Sequence, residues 1–376
     1  MISSDPSVTR VHAWAHAASA RSTWVMVRVQ AGPYAGIGEL SDGGAPAALV
    51  SAVRQVEALI VELPMGAALT TLRAAVADRR ALANEAGAFL WSTVLGGCES
   101  AFADLAARME GVPLSMALGL GSPRPVRCYA NINRHFGAQS GQAVADAARR
   151  AAIAGYGAVK IAPFSWARLQ GASGAELVRQ GLRLTRQVAE GLPAGVALMV
   201  DCHHLVPPDL ADQALRGLAT VDPLWVEDLV DVTDLSALRA IRSSAALPLA
   251  AGEYVWQPEV ARAACVTGAL AYWLVDPKHV GGPAGTARLA EAAAGTTLTF
   301  HNPSGPVGTA HAAHLAGLAT QATWLEVAWG EPDREGYLEP PELIVDGRWV
   351  PLDAPGIGVD LVEWQPAGAV PAEWIA

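Results

Sequence analysis

One pattern in the sequence restricts the possible folds of this chain more than any other feature. From Val126 onward, short apolar runs end in polar residues, and most runs are followed by an Ala-, Leu- and Arg-rich stretch typical of a helix. In chain order the runs are VRCYANINR, GAVKIAP, VALMVD, PLWVED, PLAAGE, AYWLVD, TLTFHN and TWLEVA. Continuous apolar strands that alternate with helices indicate parallel βαβ units, and eight of them favour a closed barrel over an open sheet.

The residues before and after this pattern are organised differently. Two alternating runs at 23–30 and 35–40 flank a Gly-Pro turn and predict an antiparallel hairpin, which is followed by helix-like sequence. The end of the chain is rich in Pro and Gly and contains a strand-like run. We therefore predict three parts, an N-terminal α+β part, a barrel and a C-terminal tail: 1–122, 123–331 and 332–376. We expect the tail to pack back on the first part.

Composition narrows the classes of partner. The net charge is −10 and no basic run is present that would neutralise phosphates, so a nucleic-acid or anionic-membrane partner is disfavoured. The N-terminus lacks the pattern of a secretion signal, and no uninterrupted apolar span reaches about 18 residues, so we expect a cytoplasmic protein. The four cysteines have no CxxC spacing, which predicts reduced and mostly buried thiols.

The polar residues at the strand ends are the chemically informative set. They are Lys160, Asp201, Glu227, Glu253, Asp276, His301 and Glu326. From Asp201 onward the intervals between them are 26, 26, 23, 25 and 25 residues, one βα unit each, so a barrel would place these side chains around one mouth. Three acids from consecutive strands, Asp201, Glu227 and Glu253, make an oxygen-only site suited to Mg²⁺, with Mn²⁺ as a substitute.

The order and spacing of several short motifs carry a resemblance that covers nearly the whole chain. The motifs are GIGEL, CESAFADLAARMEGVPLSMALG, AVKIA, MVD, WVED, AAGE, VDPKHVGG, FHNPSGP and WLE. The sequence resembles the mandelate racemase and muconate-lactonizing branch of the enolase superfamily. The resemblance implies an α/β fold, a modified (β/α)7β TIM barrel with an α+β capping domain formed by the N-terminal part plus the C-terminal tail. It also implies a homo-oligomer.

The resemblance further implies a reaction, the removal of the α-proton of a small-molecule carboxylate through an enediolate. Asp201, Glu227 and Glu253 would bind the metal ion. Lys160 would donate to the substrate carboxylate, and Glu326 would hydrogen-bond its other oxygen as a protonated or proton-sharing carboxyl. The enediolate carries negative charge, so its formation requires positive charge at the place where it develops.

A carboxylate and an imidazole at neighbouring strand ends form the next implied pair. By the same resemblance, Asp276 would orient His301, fixing its tautomer and raising its basicity. Lys278 follows Asp276 closely and is expected to stabilise the turn or to reach the site. Arg134 and His135 end the first strand and would contact a distal group of the substrate or lie on the surface.

Departures from the resemblance are informative as well. Racemases of this branch have a second lysine where this chain has Ala162, so two-base racemisation is disfavoured. His203 lies two residues beyond Asp201, an arrangement similar to that of acid-sugar dehydratases, and strand alternation would place both side chains on the same side. Cys202 would then point into the barrel wall, and His204 would turn away.

Three hypotheses follow. The leading one is a Mg²⁺-dependent lyase that dehydrates an aldonate or aldarate to a 2-keto-3-deoxy acid, with His203 and His301 dividing proton abstraction and leaving-group protonation. Which histidine performs which step stays open. The second is an epimerase or lactone cycloisomerase that uses the same enediolate and His301 as its principal base. The third, from a different class, is a non-catalytic metal-binding barrel.

Overall fold

The computed structural model describes residues 5–135, 140–244, 247–319, 321 and 323–362. The N-terminal part combines a three-stranded antiparallel sheet with four helices. Its elements are β1 (Val8–Ser19), β2 (Ser22–Ala31), β3 (Tyr34–Glu39), α1 (Pro46–Ile60), α2 (Met65–Leu82), α3 (Glu85–Glu110) and α4 (Leu114–Ala117). The predicted hairpin is β2 and β3, and the sequence reading missed β1. Register shifts near both ends of β1 blur the alternation by which a strand is recognised.

Two glycines of the GIGEL motif allow the sheet to lie directly on helix α3. A Cβ atom added at Gly36 would lie 2.1 Å from the Ala101 carbonyl oxygen, and one at Gly38 would lie 2.1 Å from the Gly97 carbonyl oxygen. Only a residue without a side chain permits such a close approach of two backbones. This contact fixes the end of β3, and with it Glu39, against the rest of the molecule.

The predicted closed barrel of eight parallel strands is confirmed. Strands β4 to β11 pair in chain order, and β11 pairs with β4 to close the ring. The strands are β4 (Val126–Asn131), β5 (Ala158–Ile161), β6 (Ala197–Asp201), β7 (Trp225–Glu227), β8 (Leu249–Ala251), β9 (Leu270–Val275), β10 (Thr297–Phe300) and β11 (Trp324–Ala328). The helices between them are α5 (Gly141–Ile153), α6 (Pro163–Leu169), α7 (Gly174–Gly191), α8 (Ala211–Leu218), α9 (Leu235–Ser244), α10 (Pro258–Val266), α11 (Gly282–Ala292) and α12 (Pro306–Leu315).

The barrel interior is filled by large apolar side chains one layer below the strand ends. Met199, Trp225 and Leu274 are fully buried and belong to one cluster. Each lies two residues before a polar strand-end residue, and because side chains alternate along a strand, the polar residue faces the same interior. The polar side chains of the mouth therefore lie on a layer of buried apolar side chains.

The C-terminal tail contacts both the barrel and the N-terminal part. Its short strands are β12 (Leu338–Glu339), β13 (Ile344–Val345), β14 (Arg348–Trp349) and β15 (Asp360–Leu361). The β13–β14 hairpin adds to the barrel through antiparallel pairing of β14 with β4, a contact that we did not predict. Further on, the Ile357 amide donates to Asp104 of α3 at 2.8 Å, and Asp360 pairs with Arg28 of β2. The end of the predicted tail, 363–376, lies outside the described residues.

The cysteines agree with the prediction from the sequence. All four cysteines are free, and Cys98, Cys128 and Cys202 are buried. No helix in the described part of the chain combines the length and the apolar character needed to cross a membrane.

Buried histidines between the barrel and the N-terminal part predict an acid-sensitive stability. His311 of α12 is buried, and its Nε2 lies 2.8 Å from the Ile37 carbonyl oxygen, so this nitrogen must donate. Burial lowers the pKa of His311 from 6.5 to about 4. Because the folded-state pKa is depressed, the stability from the neutral ring is present above pH 6.5 and is lost as the pH falls towards 4.

We expect wild-type protein to lose about 2 kcal/mol more unfolding free energy between pH 7 and pH 5 than the His311→Gln variant. The Gln amide can still donate to the Ile37 carbonyl group but does not titrate. Urea unfolding at the two pH values measures the difference. An equal loss in both proteins would contradict this assignment.

Candidate metal and catalytic site

The seven strand-end residues meet at one mouth of the barrel, and all of them are buried. Four of the seven line a cavity of about 330 Å³ between the barrel and the N-terminal part. The residues that line the cavity are Asp42, Asn131, Asn133, Arg134, Lys160, Asp201, His203, Glu253, Tyr254, His301 and Pro303. The side chains of Glu227, Asp276 and Glu326 lie behind this surface and support it.

Three carboxylates at the mouth can hold a cation. One oxygen from each of Asp201, Glu227 and Glu253 lies within 4.8 Å of the other two. Asp201 Oδ2 is buried and has no assigned hydrogen-bond partner, and His203 Nε2 lies 2.8 Å from it. Burial, together with the neighbouring carboxylates, raises the pKa of Glu227 to about 8 even though Lys160 opposes the shift. An orphaned oxygen within a crowded set of hard oxygen ligands fits a divalent cation.

Lys160 occupies the centre of the acidic cluster. Its Nζ lies 2.8 Å from Glu227 Oε1, 3.0 Å from Glu326 Oε1 and 3.8 Å from Asp201 Oδ2. Burial alone would lower the pKa of Lys160, but the carboxylates of Glu227 and Glu326 raise it well above its usual value. Lys160 is therefore a fixed positive charge on the cavity wall.

Glu326 is surrounded by donors. Besides Lys160, the Asn131 side-chain amide donates to Oε1 at 2.6 Å, and the Asn302 backbone amide donates to Oε2 at 3.2 Å. Hydrogen bonds to both oxygens fix the orientation of this carboxyl group. Glu326 therefore occupies the predicted position at the mouth of the barrel, beside Lys160.

His301 lies between two carboxylates. Its Nδ1 is 2.9 Å from Asp276 Oδ2, as predicted, and its Nε2 is 2.8 Å from Glu253 Oε2. Burial alone would lower the pKa of His301, but Glu253 and then Glu326 raise it well above its usual value. Lys278 faces Asp276 rather than the cavity, with Nζ 2.9 Å from Asp276 Oδ2 and 2.6 Å from Asn302 Oδ1. Lys278 thus stabilises the turn that carries Asp276.

His203 reaches the cavity by a route that differs from the predicted one. Strand β6 ends at Asp201, and His203 has a left-handed backbone with φ of 46°, so strand alternation does not set its direction. The turn is stabilised by the His203 amide, which donates to Asp201 Oδ1 at 2.9 Å. Ser165 Oγ lies 2.7 Å from His203 Nδ1, and Asp201 raises the pKa of His203 to about 9. Cys202 is buried in the core outside the barrel strands.

His204 and Arg134 complete the predicted set. The side chain of His204 is 43% exposed and lies 3.9 Å from Asp228, outside the cavity lining. Arg134 lines the cavity, donates to the Pro303 carbonyl oxygen at 3.1 Å and lies 3.6 Å from Glu331. The side chain of His135 lies outside the described residues.

Several lining residues come from the N-terminal part and from loops, and were not predicted from the sequence. Asp42, Asn133 and Tyr254 line the cavity, but none of them ends a periodic apolar run. Glu39 accepts from the amides of Gly305 and Gly308, both at 2.7 Å, at the start of α12. The GIGEL motif was the available signal, since its acidic residue closes β3 and ties the N-terminal part to the loop after His301.

The fold and the acidic triad together define a barrel protein of the enolase type. Residues 143–365, more than half of the chain, match the family model described as Enolase C-terminal domain-like. The chain belongs to this family. The matched region contains all seven strand-end residues.

Similar proteins agree with this assignment. A mandelate racemase/muconate lactonizing enzyme-like protein from Rubrobacter xylanophilus superposes with a TM-score of 0.82 at 26% identity, over 95% of this chain and 96% of that one. The D-gluconate dehydratase of Thermoproteus tenax is 26% identical over 72% of this chain and 55% of its own length. The D-galactonate dehydratase of Ralstonia nicotianae is 23% identical over 72% of each chain. The chain thus spans about half the length of the first of these dehydratases.

Proposed function

We propose that this protein is a lyase that dehydrates a sugar acid, an aldonate or aldarate, to a 2-keto-3-deoxy acid. One observation carries the proposal. Two imidazoles, those of His203 and His301, face the same cavity beside different carboxylates of the acidic triad, each with Nε2 2.8 Å from a triad oxygen. Two separate proton-transfer groups are what a β-elimination needs. The dehydratase names of the relatives support the same reaction class.

Asp201, Glu227 and Glu253 would hold a divalent cation, Mg²⁺ with Mn²⁺ as a substitute. When bound there, the ion would supply Lewis acidity towards the carboxylate of the substrate. Lys160 adds a fixed positive charge at the same wall, where it would stabilise the negative charge that develops on the substrate carboxylate as the α-proton leaves. Lys160 is held for this role by Glu227 and Glu326.

The histidines would move the protons. One imidazole removes the α-proton, and the other protonates the β-hydroxyl group, which departs as water when the C–O bond breaks; the resulting enol then becomes the keto acid. Asp276 fixes the ring of His301, and Ser165 lies within hydrogen-bond distance of His203 Nδ1. Ala162 carries a methyl group where a second base would stand, and its backbone amide is bound by the Asn133 side chain at 2.8 Å. The stereochemistry of the substrate decides which histidine is the base.

A substrate panel tests the proposal. We expect at least one member of a set of aldonates and aldarates, incubated with the protein and Mg²⁺, to yield a 2-keto acid by a carbonyl-specific assay and to lose one water by mass. The matched control omits Mg²⁺ and contains EDTA, and it should yield none. Conversion of a substrate in the NMR spectrum without a keto acid would favour the epimerase or cycloisomerase alternative. Absence of conversion throughout the panel would favour the non-catalytic alternative.

A further inference from the structure

A second cavity, of about 410 Å³, lies at the opposite end of the barrel from the acidic triad. Its wall includes Val126 and Arg127 at the start of β4 and Thr323 just before β11, so it opens at the N-terminal ends of the strands. Arg124 and Arg348 also line it. No acidic side chain is found among the described residues that line this cavity.

Two of the three arginines are placed directly opposite each other. Arg348 of β14 is the cross-strand partner of Arg127 of β4 in antiparallel pairing. Like charges at directly opposed positions destabilise a sheet. On its other side Arg127 has Trp324 as its neighbour, with the guanidinium 5.8 Å from the centre of the indole ring. The ion pairs of the described residues include none of the three arginines.

Ser115, a further lining residue, provides an independent observation. It is 3% exposed, and its Oγ has no hydrogen-bond partner. Its backbone amide lies 3.4 Å from His314 Nδ1, to which it donates, and burial lowers the pKa of His314 to about 4, so this ring is neutral. Buried hydroxyl groups are normally paired, and this unpaired one belongs to a residue in the wall of the cavity, so a ligand oxygen there would give it the missing partner.

We propose that this cavity binds a small oxyanion of the phosphate class between Arg124, Arg127 and Arg348, with the Ser115 hydroxyl as a further donor. Guanidinium groups match the oxygens of a phosphate in a forked geometry, and a bound anion would remove the repulsion between the two opposed arginines. The pocket is concave with a buried floor, so a small ligand fits it better than the flat surface of a protein partner would. Its volume leaves room for an organic phosphate ester.

Binding measurements test this site without any turnover, so their outcome does not depend on the proposed dehydration. We expect glucose 6-phosphate or inorganic phosphate to bind saturably in calorimetry and to raise the unfolding temperature, each at an ionic strength matched with NaCl. The Arg127→Gln/Arg348→Gln double variant should bind roughly tenfold more weakly or worse, because charged hydrogen bonds are lost. Without anion, the double variant should unfold at the same or a higher temperature than the wild type.

The control variant is Arg149→Gln, which removes an exposed arginine on α5 that pairs with Asp146. Its affinity for both probes should equal that of the wild type. If glucose 6-phosphate binds more tightly than inorganic phosphate, the ligand is a phosphate ester. If the two bind equally, the site recognises the phosphate group alone. Undiminished affinity in the double variant, or an identical temperature shift with NaCl alone, would overturn the proposal.

Discussion

The Glu227→Gln variant is expected to bind Mg²⁺ and Mn²⁺ at least about 100-fold more weakly than the wild type and to lose measurable turnover. Glu227 is fully buried; its Oε1 accepts from Lys160 at 2.8 Å and its Oε2 from Trp225 Nε1 at 2.9 Å. Glutamine keeps the shape but removes one charge of the triad, and its amide nitrogen must face one of two donors. The change therefore weakens cation binding and also disturbs the position of Lys160.

Manganese binding followed by electron paramagnetic resonance gives a readout that is independent of catalysis. The matched control is Glu99→Gln in α3, another buried carboxylate, which pairs with Arg73 outside the barrel mouth. This control should leave both the metal affinity and the turnover of a substrate found in the panel unchanged. Wild-type metal affinity in Glu227→Gln would show that the acidic triad is not the metal site.

The barrel was predictable because its determinants are local and repeated. Most strands are short and largely apolar runs, and the near-constant interval from Asp201 to Glu326 matches one βα unit at a time. The ends of parallel strands must meet at one edge, so the polar residues that close the runs had to share a mouth. Strand β1 escaped prediction because register shifts at both ends and several small residues interrupt its alternation.

The rest of the site depends on tertiary contacts, which leave no periodic pattern in the sequence. Asp42 and Tyr254 reach the cavity from loops, and Glu39 acts across the interface by binding the amides at the start of α12. His203 shows that a correct prediction of proximity can rest on the wrong local structure. Its proximity to Asp201 was predicted, but it results from a left-handed turn closed by a backbone hydrogen bond to Asp201 and not from strand alternation.

Separate replacement of His203 and His301 by asparagine is expected to reduce elimination by about 10²- to 10⁴-fold in each case, the range for loss of a general acid or base. Both side chains line the cavity, and each has its own orienting partner, Ser165 for His203 and Asp276 for His301. The two steps nevertheless differ. Exchange of the substrate α-proton with D₂O requires only the base, so it should survive in the variant that lacks the acid and disappear in the variant that lacks the base.

The neighbouring His204→Asn variant is the matched control, because His204 has the same chemistry but lies outside the cavity lining, 3.9 Å from Asp228. It should retain both elimination and exchange. Proton NMR in D₂O follows exchange, and the keto-acid assay follows elimination in the same sample. If exchange persisted in both the His203 and the His301 variants, neither imidazole would be the sole base and the proposed division of labour would fail. If only the His301 variant lost both activities, His301 would act as the base and then as the acid of the elimination, and His203 would have no part in proton transfer.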